Sequence, residues 1–476
     1  MPNTDKEENT KILILLPDGV GLRNFAYNDF PAKAAANGID LIFWNNTPFD
    51  LLAMDLSEIR IPQSKNHPLT ELYKNARKQI ELNLSIRRFK DHVYDSYRFP
   101  SSYKSIRAAF KSAFVKWLTI FNSSSSGLKR VREKIKKEER KTLYYNQCLE
   151  TLQGERPAMV FCTNQRPMSA IAPILAAQEL GIPTATFIFS WDNLPKATMV
   201  IEPDYYLVWS ELMKEQLLSY YSYIQENQVY VTGTPQFESH HDKNLVVPRE
   251  DFFKTHGLDM RKTYICYSGD DVTTSPNDPR YLADVVAAVR EINAKGTYDL
   301  GIVFRRCPVD FSARFDEVLA ANPDVIKIIA PKWDKVKERW DSVFPTKEDI
   351  ALQMNTIAHT QLVINLGSSM AFDYASFDKP CAYMNYDYPT MDAVRKNWSV
   401  KKTYDFVHFR SMPTKDSVIW FNDAAKIATQ IEEALSDSSI TVAAAKQWFE
   451  KINMHPTEQA SDRIISAFAD ITSKNL

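Results

Sequence analysis

The strongest constraint in this chain is a recurring phrase: a short apolar run, a turn, a helix-length stretch, then another apolar run. Runs of that length, bounded by turn residues, suit strands buried on both faces of a parallel sheet. The first covers residues 11–16, followed by the loop Pro17-Asp18-Gly19-Val20-Gly21, a helical stretch to about 37 and a strand over 39–44. Strands over 158–162, 184–189, 205–209 and 228–233 continue the series. A second series starts near Arg261, with strands over 264–268, 300–304, 325–330, 361–366 and 380–384 and a helix over 278–294. Late helices cover about 423–435, 442–452 and 457–473. Alternation of this kind folds as doubly wound α/β structure. Two series predict two Rossmann-like domains, 1–237 and 238–454. The hinge is expected in the charged, proline-containing stretch 238–249, and a last helix over 455–476 is free to cross back.

The grammar breaks from about 70 to 145, which reads as several long helices inserted into the first domain. Between 104 and 141 stand 12 basic and 3 acidic residues, although the whole chain has a formal charge of −1. That overall balance argues against a general nucleic-acid binder. Within the insertion Ile106, Phe110, Phe114, Trp117 and Phe121 recur at helical spacing, with Lys104, Arg107, Lys111 and Lys116 between them. Two readings stay open: a helix that packs its apolar stripe on its own domain, or one that lies on an anionic bilayer. The five cysteines are far apart and form no C-x-x-C, a pattern that fits a reducing compartment better than a disulfide framework. Residues 1–10 are polar and carry no apolar core, so they do not read as a secretory leader. A cytoplasmic protein is expected, with the inner face of the cytoplasmic membrane as its second possible place.

Glycine is scarce, 12 residues in 476 against a usual share of about 7%, so each one is informative. The first loop nearly spells a dinucleotide fingerprint, but Asn24 stands where the third glycine belongs and the second strand closes on Trp44-Asn45-Asn46 without an acid. No dinucleotide cofactor is expected. Gly19, Gly21, Arg23 and Asn24 remain candidates for contact with a ligand. Asp18 lies at a strand's C-terminal end, where open α/β sheets bind ligands. It reads either as a general base or as a helix cap. Ser190-Trp191-Asp192-Asn193 follows another strand. Trp191 could stack on a sugar face while Asp192 and Asn193 bond its hydroxyls, or the segment is an ordinary loop. Asp18 and Asp192 are the candidate catalytic carboxylates.

Gly233 and Thr234 make a sharp exit from the last strand of the first series, turning backbone N–H groups toward a ligand or serving only as a turn. Arg305 and Arg306 close a strand of the second series. They suit a phosphate or surface ion pairs. Asn365-Leu366-Gly367-Ser368-Ser369 leads into a short helix, as a neutral phosphate cradle or a simple cap. Asp373, four residues on, is placed to meet ribose hydroxyls. His240-His241 are adjacent and diverge, Asp270-Asp271 lacks a spaced D-x-D, and no metal site is expected.

Two α/β units with a phosphate-cradling element only in the second resemble the GT-B glycosyltransferases. The stretch LVINLGSSMAFDYASFDKPCAYMNYD (362–387) is similar to the S-S-x-x-F-D-x-A…K-P…Y-D pattern of CDP-glycerol glycerophosphotransferases and related surface-polysaccharide enzymes. PDGVGLRNF and SWDNL…PDYYLVWSE…VTGTPQFE look like bacterial surface-carbohydrate glycosyltransferases. The resemblance implies an acceptor-binding N-terminal domain and a C-terminal domain that takes a nucleotide-diphosphate sugar. It implies pyrophosphate contacts from Ser368 and Ser369, a ribose contact from Asp373 and a phosphate contact from Arg305. The R-P-H-P motif of the phosphotransferases reads Arg305-Arg306-Cys307-Pro308 here, a departure that favours sugar transfer. The expected activity is metal-independent transfer of a sugar to a hydroxyl of a glycan or lipid-linked acceptor, with 104–141 as the membrane contact. A CDP-alditol phosphotransferase, a nucleotide-sugar 2-epimerase and a non-catalytic binding protein are the alternatives.

Overall fold

A computed structural model describes residues 9–61, 65–98, 103, 105–335, 343–388 and 398–474. Lys104, the first cation of the basic stretch, lies outside them. The chain divides into two compact units, one of Met1–Pro235 with Ile452–Leu476 and one of Gln236–Lys451.

The first unit is built on seven strands: β1 (Thr10–Leu16), β2 (Ile39–Asn45), β3 (Glu58–Arg60), β4 (Met159–Cys162), β5 (Thr184–Phe187), β6 (Tyr205–Val208) and β7 (Val229–Val231). They lie in the order β3-β2-β1-β4-β5-β6-β7, every neighbour parallel. β1 is central, and Ile12 to Leu16 are fully buried, which is why its sequence shows no polar alternation. Chain order reverses between β1 and β4, so a crevice opens beyond their C-terminal ends.

Two local readings are corrected. The helix expected to reach residue 37 is broken into Leu22–Phe25 and Phe30–Ala36. Asn28 Oδ1 accepts from the Phe30 N–H at 3.2 Å, and a proline in the first turn restarts the helix. β3 was missed because it is a charged three-residue edge strand, with Glu58 and Arg60 paired at 2.7 Å.

The helical insertion occupies the β3–β4 crossover as helices Thr70–Phe89, Ile106–Phe121, Ser125–Glu139 and Leu143–Glu155. Buried charge anchors it. Arg77, 2% exposed, donates to Glu81 at 2.8 Å and to the Tyr223 hydroxyl at 2.8 Å, and lies 3.3 Å from Glu202. Arg132 grips both oxygens of Glu202, with Lys136 2.8 Å away and the Arg132 guanidinium 3.3 Å above the Tyr223 ring. Burial works against the Glu202 charge, yet Arg132, Arg77 and Lys136 hold its pKa down at about 2.

The helix Ala460–Ser473 also belongs to the first unit. Phe468 packs edge-on against Phe161 at 4.8 Å and Phe30 at 6.1 Å. The residues that close this core therefore lie at opposite ends of the chain.

The second unit carries β8 (Thr263–Ser268), β9 (Leu300–Arg305), β10 (Ile326–Ile328), the hairpin β11 (Trp333–Lys335) and β12 (Val343–Pro345), then β13 (Val363–Asn365), β14 (Cys381–Met384) and β15 (Ile419–Phe421). The main sheet runs β10-β9-β8-β13-β14-β15, all parallel. Leaving the hairpin aside, these six strands repeat the order of β3-β2-β1-β4-β5-β6 in the first unit, with no counterpart of β7 among the described residues. The reversal in this sheet falls between β8 and β13. Tyr267, Tyr281, Val285, Val289 and Phe304 form the core between β8, β9 and the helix Asp278–Lys295. The hairpin and β15 were absent from the sequence reading: β11 and β12 are interrupted by charge or proline, while β15 lies in the apolar run Val418–Phe421, a signal that was passed over.

Candidate active site

In the first unit the ends of β1, β4 and β5 gather polar side chains. Asp18 caps the turn after β1. Its Oδ1 accepts from the Val20 N–H at 3.1 Å, and its Oδ2 accepts from Asn164 Nδ2 at 2.7 Å. Burial pushes the carboxyl up to about 6, against the opposing pull of Val20, Asn164 and Arg166. Asp18 is thus a cap, as one reading had it, and also an acid whose proton moves near neutrality.

Gly19 and Gly21 are buried. A Cβ on Gly21 would stand 2.3 Å from Thr163 Oγ1, so its missing side chain makes room for β4. Asn24 is buried and Arg23 half-buried.

The sequence reading passed over Thr163, Asn164, Gln165 and Arg166, which follow β4. Four polar residues directly after a buried apolar strand were the available signal, and the rule applied to Asp18 would have found them. Gln165, 1% exposed, donates to Asn193 Oδ1 at 3.2 Å and so links the β4 end to the β5 end. Asp192 accepts from Ser190 Oγ and Asn193 Nδ2, each at 2.7 Å, and from Lys196. Trp191 is only 7% exposed, so of its two readings the ordinary-loop one fits its burial better than stacking on a sugar. Burial holds the Arg166 guanidinium below its usual range, while Asp192 and Asp18 pull the other way. The insertion adds two cations here. Lys74 and Lys78 are one turn apart on Thr70–Phe89. Burial, with the charges of Arg166, Lys196 and Lys74, pushes Lys78 down to about 8.

The exit from β7 is occupied by its own unit. Gly233 has φ +75°, a conformation open to glycine. The Thr234 N–H donates to Asn453 Oδ1 at 3.0 Å, and Arg463 Nε donates to the Thr232 carbonyl at 2.7 Å. Of the two readings of this turn, the structural one fits the Thr234 N–H, which the returning C-terminal segment accepts.

In the second unit the two adjacent arginines part. Arg305, 8% exposed, donates through Nη2 to Asp349 Oδ1 at 2.7 Å. Its Nη1 is buried with no hydrogen-bond partner among the described residues. Asp349 also accepts from the Lys332 N–H and Trp333 Nε1, each at 2.8 Å. Arg306 turns to the Ser312 carbonyl and Asp316. The surface-pair reading holds for Arg306, which meets the exposed Asp316 at 2.9 Å, whereas Arg305 is locked inside the fold against Asp349.

Beyond β13, Gly367 has φ +76°. The Ser368 N–H donates to Asn365 Oδ1 at 2.9 Å, and Ser368 Oγ accepts from the Met370 N–H at 3.3 Å. Ser369 leads into the six-residue helix Met370–Ala375 without a side-chain cap bond. Asp373 is 2% exposed and meets His240 Nε2 at 2.9 Å. The expected ribose carboxylate is therefore committed to a histidine that sequence reasoning had set aside. At the end of β8, burial and the neighbouring Asp278 and Asp271 push the Asp270 carboxyl well up. Its Oδ2 is buried without a partner among the described residues. Asp270 and the Ser368–Ser369 turn follow the two strands that flank the sheet's reversal.

No protein-family model matches the chain, and no curated protein matches its sequence. Solved structures do match its fold. A UDP-N-acetylglucosamine 2-epimerase homologue from Listeria monocytogenes superposes with a TM-score of 0.55 at 11% identity, over 98% of this chain and 97% of that one. S. aureus MnaA, solved with UDP, gives 0.51 at 14% over 97% of each. The UDP-GlcNAc 2-epimerase of Methanocaldococcus jannaschii gives 0.50 at 13%, over 97% and 99%. The fold class is thereby defined: two Rossmann-like parallel-sheet units in one chain, the GT-B fold. The CDP-glycerol transferase pattern at 362–387 remains a resemblance of motif.

Proposed function

We propose that this chain is a glycosyltransferase that moves a sugar from a nucleotide-diphosphate donor to a hydroxyl. The observation that carries the reading is the pair of topological switch points, each flanked by buried or half-buried polar and ionisable groups. Open α/β sheets bind ligands at such points, and transfer between two substrates calls for two sites. The reversal in the second unit, with Ser368, Ser369 and Asp270, is assigned to the donor. Arg305 Nη1, buried and without a hydrogen-bond partner among the described residues, is assigned to the charge that builds on the leaving diphosphate. A preformed donor in a dry site is worth more there than in water.

The reversal in the first unit is assigned to the acceptor. Asp18 takes the proton of the acceptor hydroxyl as that oxygen attacks the anomeric carbon and the bond to the diphosphate breaks. A carboxyl with a pKa near 6 is mostly ionised at neutral pH and is a stronger base than an ordinary aspartate. Asp192 is given a positioning role, because Ser190, Asn193 and Lys196 already occupy its lone pairs. Lys74, Lys78, Arg166 and Lys196 make this side cationic, which suits an acceptor carrying phosphate.

A second reading, nucleotide-sugar 2-epimerisation, is favoured by the fold likeness to the UDP-N-acetylglucosamine 2-epimerase structures. Product analysis separates the two. A transferase releases nucleoside diphosphate only when acceptor is present, whereas an epimerase converts the donor alone and releases none at equilibrium.

A further inference from the structure

The helix Ile106–Phe121 is built inside out for a globular protein. Ile106, Phe110, Trp117, Ile120 and Phe121 are 52–78% exposed, while Leu118 is its only buried residue. At roughly 100° per residue these apolar side chains occupy about a third of the helix circumference. Ala108, Ser112, Val115 and Thr119 lie on the opposite side, lining the groove shared with Thr70–Phe89. The packed face is thus the small and mixed one, and the aromatic face points away. The rings form a continuous surface, with centroids of Phe114 and Trp117 5.8 Å apart and of Trp117 and Phe121 5.3 Å apart.

Charge says what this face meets. The helix contains no acidic residue, and Arg107 and Lys116 flank the stripe on its two sides. Lys111, further round, pairs with Glu71 of the neighbouring helix at 3.2 Å. The following helix Ser125–Glu139 exposes Lys129, Arg130, Lys134 and Lys137. An aromatic stripe edged by cations suits an interface of buried acyl chain and anionic headgroup. A second protein would have to supply both an apolar groove and an acidic rim. Among the described residues no helix is long and apolar enough to cross a membrane, so such contact is with one leaflet.

We propose that the helix Ile106–Phe121 docks on an anionic bilayer, its exposed stripe entering the headgroup region and Arg107 and Lys116 meeting lipid phosphates.

The test uses the full chain and two kinds of vesicle, phosphatidylcholine alone and phosphatidylcholine with phosphatidylglycerol. The protein is expected to sediment with the anionic vesicles, to stay in the supernatant with the neutral ones and to detach as salt is raised. Phe110→Ser combined with Trp117→Ser should lower vesicle affinity by roughly a hundredfold. Arg107→Glu with Lys116→Glu should remove the preference for anionic lipid. All four positions are exposed, so the melting temperature should not move, and a melt on each variant separates lost docking from lost folding. Failure of the native chain to sediment with anionic vesicles would overturn the proposal. So would a concentration-dependent dimer that Phe110→Ser with Trp117→Ser converts to monomer, because the stripe would then belong to a second copy.

Discussion

Asp18 concentrates the account at the level of single residues. It takes a backbone N–H on one oxygen and an amide on the other, and burial lifts its pKa to about 6. If it is the base, the acid limb of kcat/KM should fall about tenfold per pH unit below about 6. Asp18→Asn should lower turnover by about 10² to 10⁴ while donor affinity is kept. A pH profile of the native enzyme, with donor titrations on the variant, checks both. Gly21 makes a different prediction. Gly21→Ala would force a Cβ into Thr163 and should cost about 1–3 kcal/mol of stability, measurable by denaturant unfolding. Asp18 was legible because it follows an apolar strand. Its partner Asn164 was equally legible in principle but was passed over. The His240–Asp373 pair could not have been read: 133 residues separate its members, and only the folded chain brings them together.

Among the elements, most strands declared themselves through unbroken apolar runs, whereas β3, β11 and β12 are broken by charge or proline and β15, in the run Val418–Phe421, was passed over. The insertion was visible as a loss of alternation, but what fastens it was hidden. Arg77, Glu81, Arg132, Lys136 and Glu202 are scattered over 126 residues of ordinary charged sequence, and only their burial makes them a network. Glu202→Gln should strip Arg132 of its buried counter-charge, leave Arg77 with Glu81 alone and cost about 3–5 kcal/mol. The pH dependence follows in sign. The folded pKa of Glu202, about 2, lies below the ordinary glutamate value of 4.5. Its contribution is therefore complete above about pH 4.5 and is lost as pH falls toward 2. Melts across that window should fall more steeply for the native chain than for Glu202→Gln.

For the whole molecule, the sequence showed two α/β series, and the structure adds that they share one order over six strands. It also shows how the first unit is closed. Phe468 lies against Phe161 and Phe30, and Arg463 and Asn453 hold the β7 exit. A chain ending at Lys451 should lose about 1.5–3 kcal/mol for each core aromatic laid open. It should bind a hydrophobic dye and melt at lower temperature than the full chain. The exposed stripe of Ile106–Phe121 shows the limit of pattern reading, since helical spacing identifies an apolar face but not the direction in which it points.

The central claim is that two sites serve two substrates. The most direct measurement is nucleoside diphosphate release from a panel of UDP-, GDP-, dTDP- and CDP-linked sugars, with and without a lipid extract as acceptor. Release is expected from one donor class, dependent on the extract, lowered by about 10² to 10⁴ in Asp18→Asn and weakened by Arg305→Ala. Conversion of the donor to an isomer without extract, or release of CMP with phosphorus carried into the product, would contradict it.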